Sequence, residues 1–259
     1  ERVRRHGETV RIETGQVGAL RDLAGRAEAL ALALNDRSRL AQVRVRQAQA
    51  QWWFWEGPRE VAVERAREAG SLADAGDVRT RSYVRFVAGA AYRDLGRIPE
   101  AIGELDAGIA LLGATGPATE APGLVLPIYV TLSVWRAECH AVLGDFRQGL
   151  ASATDGLQMA NRINHLPSVA LADALLGYVR ILRGEIDAAL PPLETGLAIG
   201  EANGFIHAIV ANGLHLGLAL ALLGRHEAGL STLARATQAA RSVGYELTPW
   251  TRYGAVPAR

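Results

Sequence analysis

LGYVRILRGEIDAALPPLETG, residues Leu176–Gly196, returns forty residues later as LGLALALLGRHEAGLSTLARA, Leu216–Ala236. With Gly184 laid on Gly224, a small residue lies seven positions before each (Gly177, Gly217) and another five after (Ala189, Gly229). A leucine follows at nine (Leu193, Leu233) and a further small residue at twelve (Gly196, Ala236). Self-similarity at a fixed period of this length marks a stacked-repeat array. Gly57, Gly96 and Gly144 extend the series, with separations of 39, 48, 40 and 40 residues between the five glycines. Seven before them stand Ala50, Gly89, Ala137, Gly177 and Gly217; five after, Ala62, Ala101, Gly149, Ala189 and Gly229; twelve after, Ala69, Gly108, Gly156, Gly196 and Ala236. Every one of these positions is alanine or glycine, which chance does not explain even in a chain rich in both.

Close approach explains it. A glycine inside a helix costs about 1 kcal/mol relative to alanine, so Gly89, Gly177 and Gly217 require a compensating contact that a side chain would block. Working outward, Val17, Leu20, Leu23, Ala27, Leu30 and Leu34 have helical spacing over Gln16–Leu34. Asn35, Asp36 and Ser38 break and recap the chain. A second helix is expected over Arg39–Trp55, ending at Gly57–Pro58, because glycine suits the position past a helix end and proline the start of the next helix. Each unit reads as a helical hairpin that buries one face within the pair and another against its neighbour, and only stacking buries both. The expected fold is all-α, a right-handed superhelical α-solenoid with a period of about 40 residues, as one domain over 1–259 with hairpin turns near 57, 96, 144, 184 and 224.

The interval of 48 has a visible cause in GATGPATEAPGLVLP, Gly113–Pro127, which lengthens one connection. It reads as a tolerated insertion or as a lid over a binding surface. Pro191–Pro192 are expected to delay or kink their helix. The basic opening, Glu1–Thr14, is weakly patterned, and the periodicity stops after Gly244. A first residue that is glutamate and a single methionine, Met159, suggest part of a longer polypeptide.

A chain of 259 residues, 49% apolar, can bury a sizeable core. A net charge of +1 gives no electrostatic reason to expect direct nucleic-acid contact or an acidic membrane surface. Cys139 stands alone, which excludes an internal disulfide and points to a reducing cytoplasm. Phe205–Gly224 has no formal charge over twenty residues, the length of a bilayer span. His207, Asn212, His215 and the forty-residue register assign it instead to an ordinary repeat helix.

AYRDLGRIPEAIGELDAGIALL (Ala91–Leu112) and AECHAVLGDFRQGLASATDGLQMA (Ala137–Ala160) resemble the tetratricopeptide repeat in a longer-period form. Tyr92 and Trp53 stand where that motif places an aromatic, whereas His140, Arg180 and Leu220 depart from it and the closing proline is missing. A narrower resemblance runs through ALALNDRSRLAQVRVRQAQAQWWFWEG, AGAAYRDLGRIPEAI and WRAECHAVLGDFRQG. These stretches are similar to the C-terminal arrays of bacterial multidomain adenylate/guanylate cyclases that carry an AAA-type ATPase module. Related arrays occur in ATP-dependent transcription regulators. The resemblance implies a non-catalytic interaction and regulatory scaffold; the alternatives are an effector-sensing array of such a regulator and, more weakly, a stand-alone enzyme.

No residues point to chemistry. The chain has no phosphate-binding G-x-x-x-x-G-K-[ST], no G-x-S-x-G, no H-E-x-x-H and no paired C-x-x-C, so no catalytic residue, cofactor or metal is expected. His207 and His215, eight apart on one helix, cannot grip one metal without other ligands. In the aromatic run Trp52–Trp55, consecutive helical residues point about 100° apart. Trp52 and Trp53 are assigned to the core and Phe54 to the inner surface.

By the tetratricopeptide resemblance, the first helix of each hairpin lines a groove, with inward residues ten, six and three before the turn glycine. These are Gln47, Gln51 and Phe54; Phe86, Ala90 and Arg93; Val134, Glu138 and Ala141; Ala174, Tyr178 and Ile181; and Leu214, Leu218 and Ala221. The series passes from mixed polar to nearly all apolar. A bare apolar strip of that size is unusual in a soluble monomer. It is core, or it receives an amphipathic segment or another domain of the same polypeptide, or it packs on a second copy as a homodimer.

Overall fold

The computed structural model describes residues 17–53, 58–113 and 127–242, with side chains from residue 22 onward and without that of Trp53. Among these residues every regular element is helical. In order they are α1 (Val17–Ala33), α2 (Arg37–Trp53), α3 (Arg59–Leu72), α4 (Val78–Asp94), α5 (Ile98–Gly113) and α6 (Ile128–Val142). There follow α7 (Phe146–Arg162), α8 (Leu166–Arg183), α9 (Ile186–Asn203), α10 (Ile206–Leu222) and α11 (His226–Ser242). The expected assignments for Phe54, the Gly57 turn, the loop within 114–126 and the tail after Ser242 lie outside the described residues, as does the side chain of Trp53. By its contacts the chain falls into two compact units, Glu1–Leu132 and Ser133–Arg259, with the boundary inside α6.

The hairpins pivot on left-handed glycines. Gly96, Gly144, Gly184 and Gly224 have φ of 73°, 82°, 86° and 76°, a region that favours a residue without Cβ. The connections between hairpins use the same device: Gly204 at φ 69°, and Asn35 and Asn164 both at 51°. Asp36 recaps the chain, accepting from the Arg39 amide at 3.0 Å. Asp77 and Asp145 do likewise for Thr80 and Gln148.

The small residues seven before each turn receive a partner nine after it. A methyl group on Gly89 would lie 2.9 Å from Leu105 Cγ, one on Gly177 2.6 Å from Leu193 Cδ2, and one on Gly217 2.5 Å from Leu233 Cγ. Where the earlier position is alanine, the later one is alanine too: Ala50 with Ala66, Ala137 with Ala153. A missing side chain at the first position is met by a large one at the second, and a methyl group by a methyl group, so the two positions vary together, as a close-packed interior demands. The small residues five after the turn allow the backbones to meet, a Gly229 methyl being 2.8 Å from the Gly217 carbonyl oxygen.

Of the two effects expected of Pro191 and Pro192, a delayed start does not occur. α9 starts at Ile186 and contains both. Pro192 leaves the Ala188 carbonyl without its helical donor, and the Arg180 guanidinium of α8 donates to that carbonyl instead. The Pro191 carbonyl accepts from Thr195 Oγ1 at 2.9 Å. The uncharged stretch becomes α10, seventeen residues long; among the described residues no helix is long and apolar enough to cross a membrane. Cys139 is fully buried.

Candidate functional site

In the first unit three expected groove residues, Gln51, Phe86 and Arg93, are buried, while Gln47 is half-buried. Gln47 donates from Nε2 to Glu28 Oε2 at 2.9 Å, joining α2 to α1. Phe86 is buried, edge-on to Trp52 at 5.8 Å and stacked on Tyr83 at 6.1 Å. Arg93 holds Asp94 through Nε at 2.9 Å, and the other Asp94 oxygen accepts from Trp52 Nε1 at 2.8 Å. Arg59, also buried, donates to the Trp52 and Gln51 carbonyls at the end of α2, at 2.7 and 3.3 Å. Gln51 is buried beside this network, its Oε1 lacking a donor. Gln51, Phe86 and Arg93 are thus brought together, as a latch between α2, α3 and α4. Desolvation lowers the Arg59 pKa from its ordinary value, against the opposing pull of Asp94.

In the second unit Glu138 is buried. Ile181 joins Ala189, Leu193, Leu216 and Ala219 in one core cluster, with Leu218 packed against its edge. Leu214 joins Val210, Ala236 and Ala240 in another. Tyr178 is half-buried and stacks on His215 of α10, with ring centroids 4.6 Å apart and planes 18° from parallel. Burial pushes His215 down to about 4, opposed by its hydrogen bond to the Ala174 backbone. Tyr178, Leu218 and Ala221 are therefore expected groove residues of this unit that keep surface; Ile181 and Leu214 serve the interior.

One row of residues escaped the sequence reading. Two positions before the turn glycine, the second unit carries Val142, Leu182 and Leu222, exposed by 50%, 39% and 56%. Leu182 and Leu222 lie one helical turn beyond Tyr178 and Leu218, so residues six and two before the turn form a continuous strip on α8 and α10. The signal was present in the repeat register, since these large apolar residues recur at one register position in three hairpins. Exposed apolar surface rimmed by polar residues marks interaction sites. Around the strip, Arg183 pairs with Glu185 at 3.2 Å, and Arg225 is exposed. Among the described residues no group of His, Cys, Asp and Glu is placed to hold a metal ion.

No family model and no curated protein matches the chain. Solved structures do. The chain is similar to a Rap protein complexed with competence and sporulation factor, at 12% identity and a TM-score of 0.67, over 80% of this chain and 55% of that one. It is also similar to BtubC (BKLC) from P. vanneervenii, at 19% identity and a TM-score of 0.63, over 90% and 93%. A third is a putative kinesin light chain from Podosopora anserina with nearly identical TPR-like repeats, at 16% identity and a TM-score of 0.56, over 80% and 97%. The chain thus spans little more than half the length of the Rap protein. At these identities the likeness establishes the fold: an α-solenoid of tetratricopeptide-like hairpins.

Proposed function

We propose that the chain is a non-catalytic docking scaffold whose second unit binds an apolar protein or peptide segment. The observation that supports this most is the strip formed by exposed Leu182 and Leu222, whose register position Val142 shares, with half-buried Tyr178 and Leu218. A bound segment would cover side chains that otherwise stay in water, at about 25 cal/mol per Å² of apolar surface removed. The helical-repeat neighbours support the same reading, one of them being solved with competence and sporulation factor.

The same proposal places the array in a bacterial signalling polypeptide of the cyclase- and ATPase-linked type, on the resemblance of Ala31–Gly57, Ala88–Ile102 and Trp135–Gly149. Its cytoplasmic location rests on the lone Cys139. The experiment is a paired substitution, Leu182→Arg with Leu222→Arg, beside Leu214→Arg. The exposed pair should abolish capture of the partner, or self-association by light scattering, while leaving the circular-dichroism spectrum and Tm in place. Leu214→Arg should unfold the unit. Undiminished capture by the exposed double variant rejects the strip as the docking surface. A metabolite thermal-shift screen that raises Tm equally in both proteins favours an effector-sensing array instead.

A further inference from the structure

In the hairpin of Gly96, the small residue twelve after the turn glycine lies where two first helices converge. The first unit shows the arrangement in full: a methyl group on Gly108 would lie 3.2 Å from Arg85 Cβ and 2.9 Å from Leu132 Cδ2. Arg85 stands eleven before its own turn glycine, and Leu132 twelve before the next. Arg85 carries its charge away from the junction, donating to Glu104 at 2.6 Å. The last hairpin repeats the first of these contacts, with Gly213, eleven before Gly224, facing Ala236 at 2.8 Å.

In the second unit the three positions are Asp173 on α8, Gly196 on α9 and Asn212 on α10. The Asn212 amide fills the place of the absent Gly196 side chain, its Cγ 2.6 Å from where a Cβ would be. Its Nδ2 is spent on the Ala170 and Ala208 carbonyls, both at 2.9 Å, and its Oδ1 is buried without a donor. Asp173 is 5% exposed, and its Oδ2 is also without a donor. The position that supplies Glu104 to Arg85 is Pro192 here, which offers nothing. Asn212 is tied to α8 one turn before Asp173 by its bond to Ala170, and the register of Arg85 and Gly108 sets Asp173 at the same junction. Two buried acceptors at one junction repel each other unless a hydrogen lies between them.

We propose that Asp173 retains its proton and donates it to Asn212 Oδ1 across Gly196, making the junction of α8, α9 and α10 a proton-sensitive clasp. Burial acts in the same direction, raising the Asp173 carboxyl to about 7. The other titratable groups of the elements around Asp173 are exposed, paired or held neutral. His207 and His215 on α10 are held near 4 by burial and stay neutral. Arg180 of α8 is committed to Ala188, and Arg183 to Glu185. Asp187, Glu194 and Glu201 of α9 are exposed, as are Arg147, Asp155 and Arg162 of α7. On α6, Arg136 is bound to Ser152, and Glu138 lies at the groove register. Because the folded-state value lies above the ordinary 3.8, the clasp contributes fully below 3.8 and is lost as pH rises through about 7.

The test uses the full chain. With carboxyl-labelled aspartate and Asp173→Asn for assignment, Asp173 should titrate near pH 7; a midpoint near 3.8 overturns the proposal. In urea unfolding, the Asp173→Asn amide keeps a donor and loses the charge. Its folding constant relative to wild type should rise about tenfold per pH unit between about pH 4 and pH 7 and then level off, and a flat ratio overturns the proposal. A double-mutant cycle with Asn212→Leu, which restores the side chain seen at Leu132, separates a bond from burial alone. Coupling should be larger at about pH 5 than at about pH 8, and equal coupling at both refutes the bond. If Asn212→Leu fails to fold, Asn212→Ser takes its place in the cycle, with the same larger coupling expected at about pH 5 than at about pH 8 and equal coupling again refuting the bond.

Discussion

Gly184 holds φ at +86° as the cap of α8, and its amide hydrogen donates to the Ile181 carbonyl at 2.9 Å. A methyl group there meets no atom within 4 Å. Any cost of Gly184→Ala is therefore backbone strain alone, about 1 kcal/mol. Urea unfolding should show that loss, and a neutral or stabilising result would reject the capping role. The turn glycines were legible for this reason: a left-handed backbone constrains residue type at one position, whatever packs around it. Burial is not of that kind. Leu214 and Leu218 look alike in the sequence, yet Leu214 is 1% exposed while Leu218 keeps part of its surface. What separates them is how closely neighbouring helices approach, and no local pattern encodes that distance.

Between paired helices, the reciprocal volumes at Gly177 and Leu193 make a sharper prediction. Gly177→Ala alone drives a methyl group into the Leu193 side chain and should destabilise by about 1–3 kcal/mol, despite the better helix propensity of alanine. Leu193→Ala alone leaves a cavity and should cost about 2–5 kcal/mol. Together they recreate the Ala137–Ala153 pair of the preceding hairpin, so Gly177→Ala should change sign and stabilise the Leu193→Ala background. Thermal melts of the four proteins check this; a Gly177→Ala effect of the same sign in both backgrounds would rule the reciprocity out. The stability of α9 was harder to foresee. Its paired prolines argue for a late start, and the compensation comes from Arg180, eight residues before the carbonyl it reaches and on another helix.

On the scale of the whole chain, the repeat register organised both what was read and what was missed. Small residues at three fixed offsets disclosed the hairpins because close approach tolerates little else. Val142, Leu182 and Leu222 share an offset equally well, but a solvent-facing side chain is under no packing constraint, so the row stood out only once exposure was known. The aromatic run at Trp52 is a mixed case. Its register places Trp52 in the core, where it is buried, but gives no hint that its ring nitrogen serves as a donor to Asp94 in the latch with Arg59 and Arg93.

The Gly–Leu and Ala–Ala pairs also govern how such a gene can be cut and rejoined. Each pair is completed inside one hairpin, so a crossover between hairpins passes the matched volumes on intact. A crossover at the turn glycine does not. A chimera joining α6 to α9 sets Ala137 against Leu193 and overfills the seam; joining α8 to α7 sets Gly177 against Ala153 and empties it. Both should melt below the parent, whereas duplication of the entire Leu166–Asn203 hairpin should not. The unit of inheritance in this array is then the hairpin, because that is the smallest piece whose interior is already balanced.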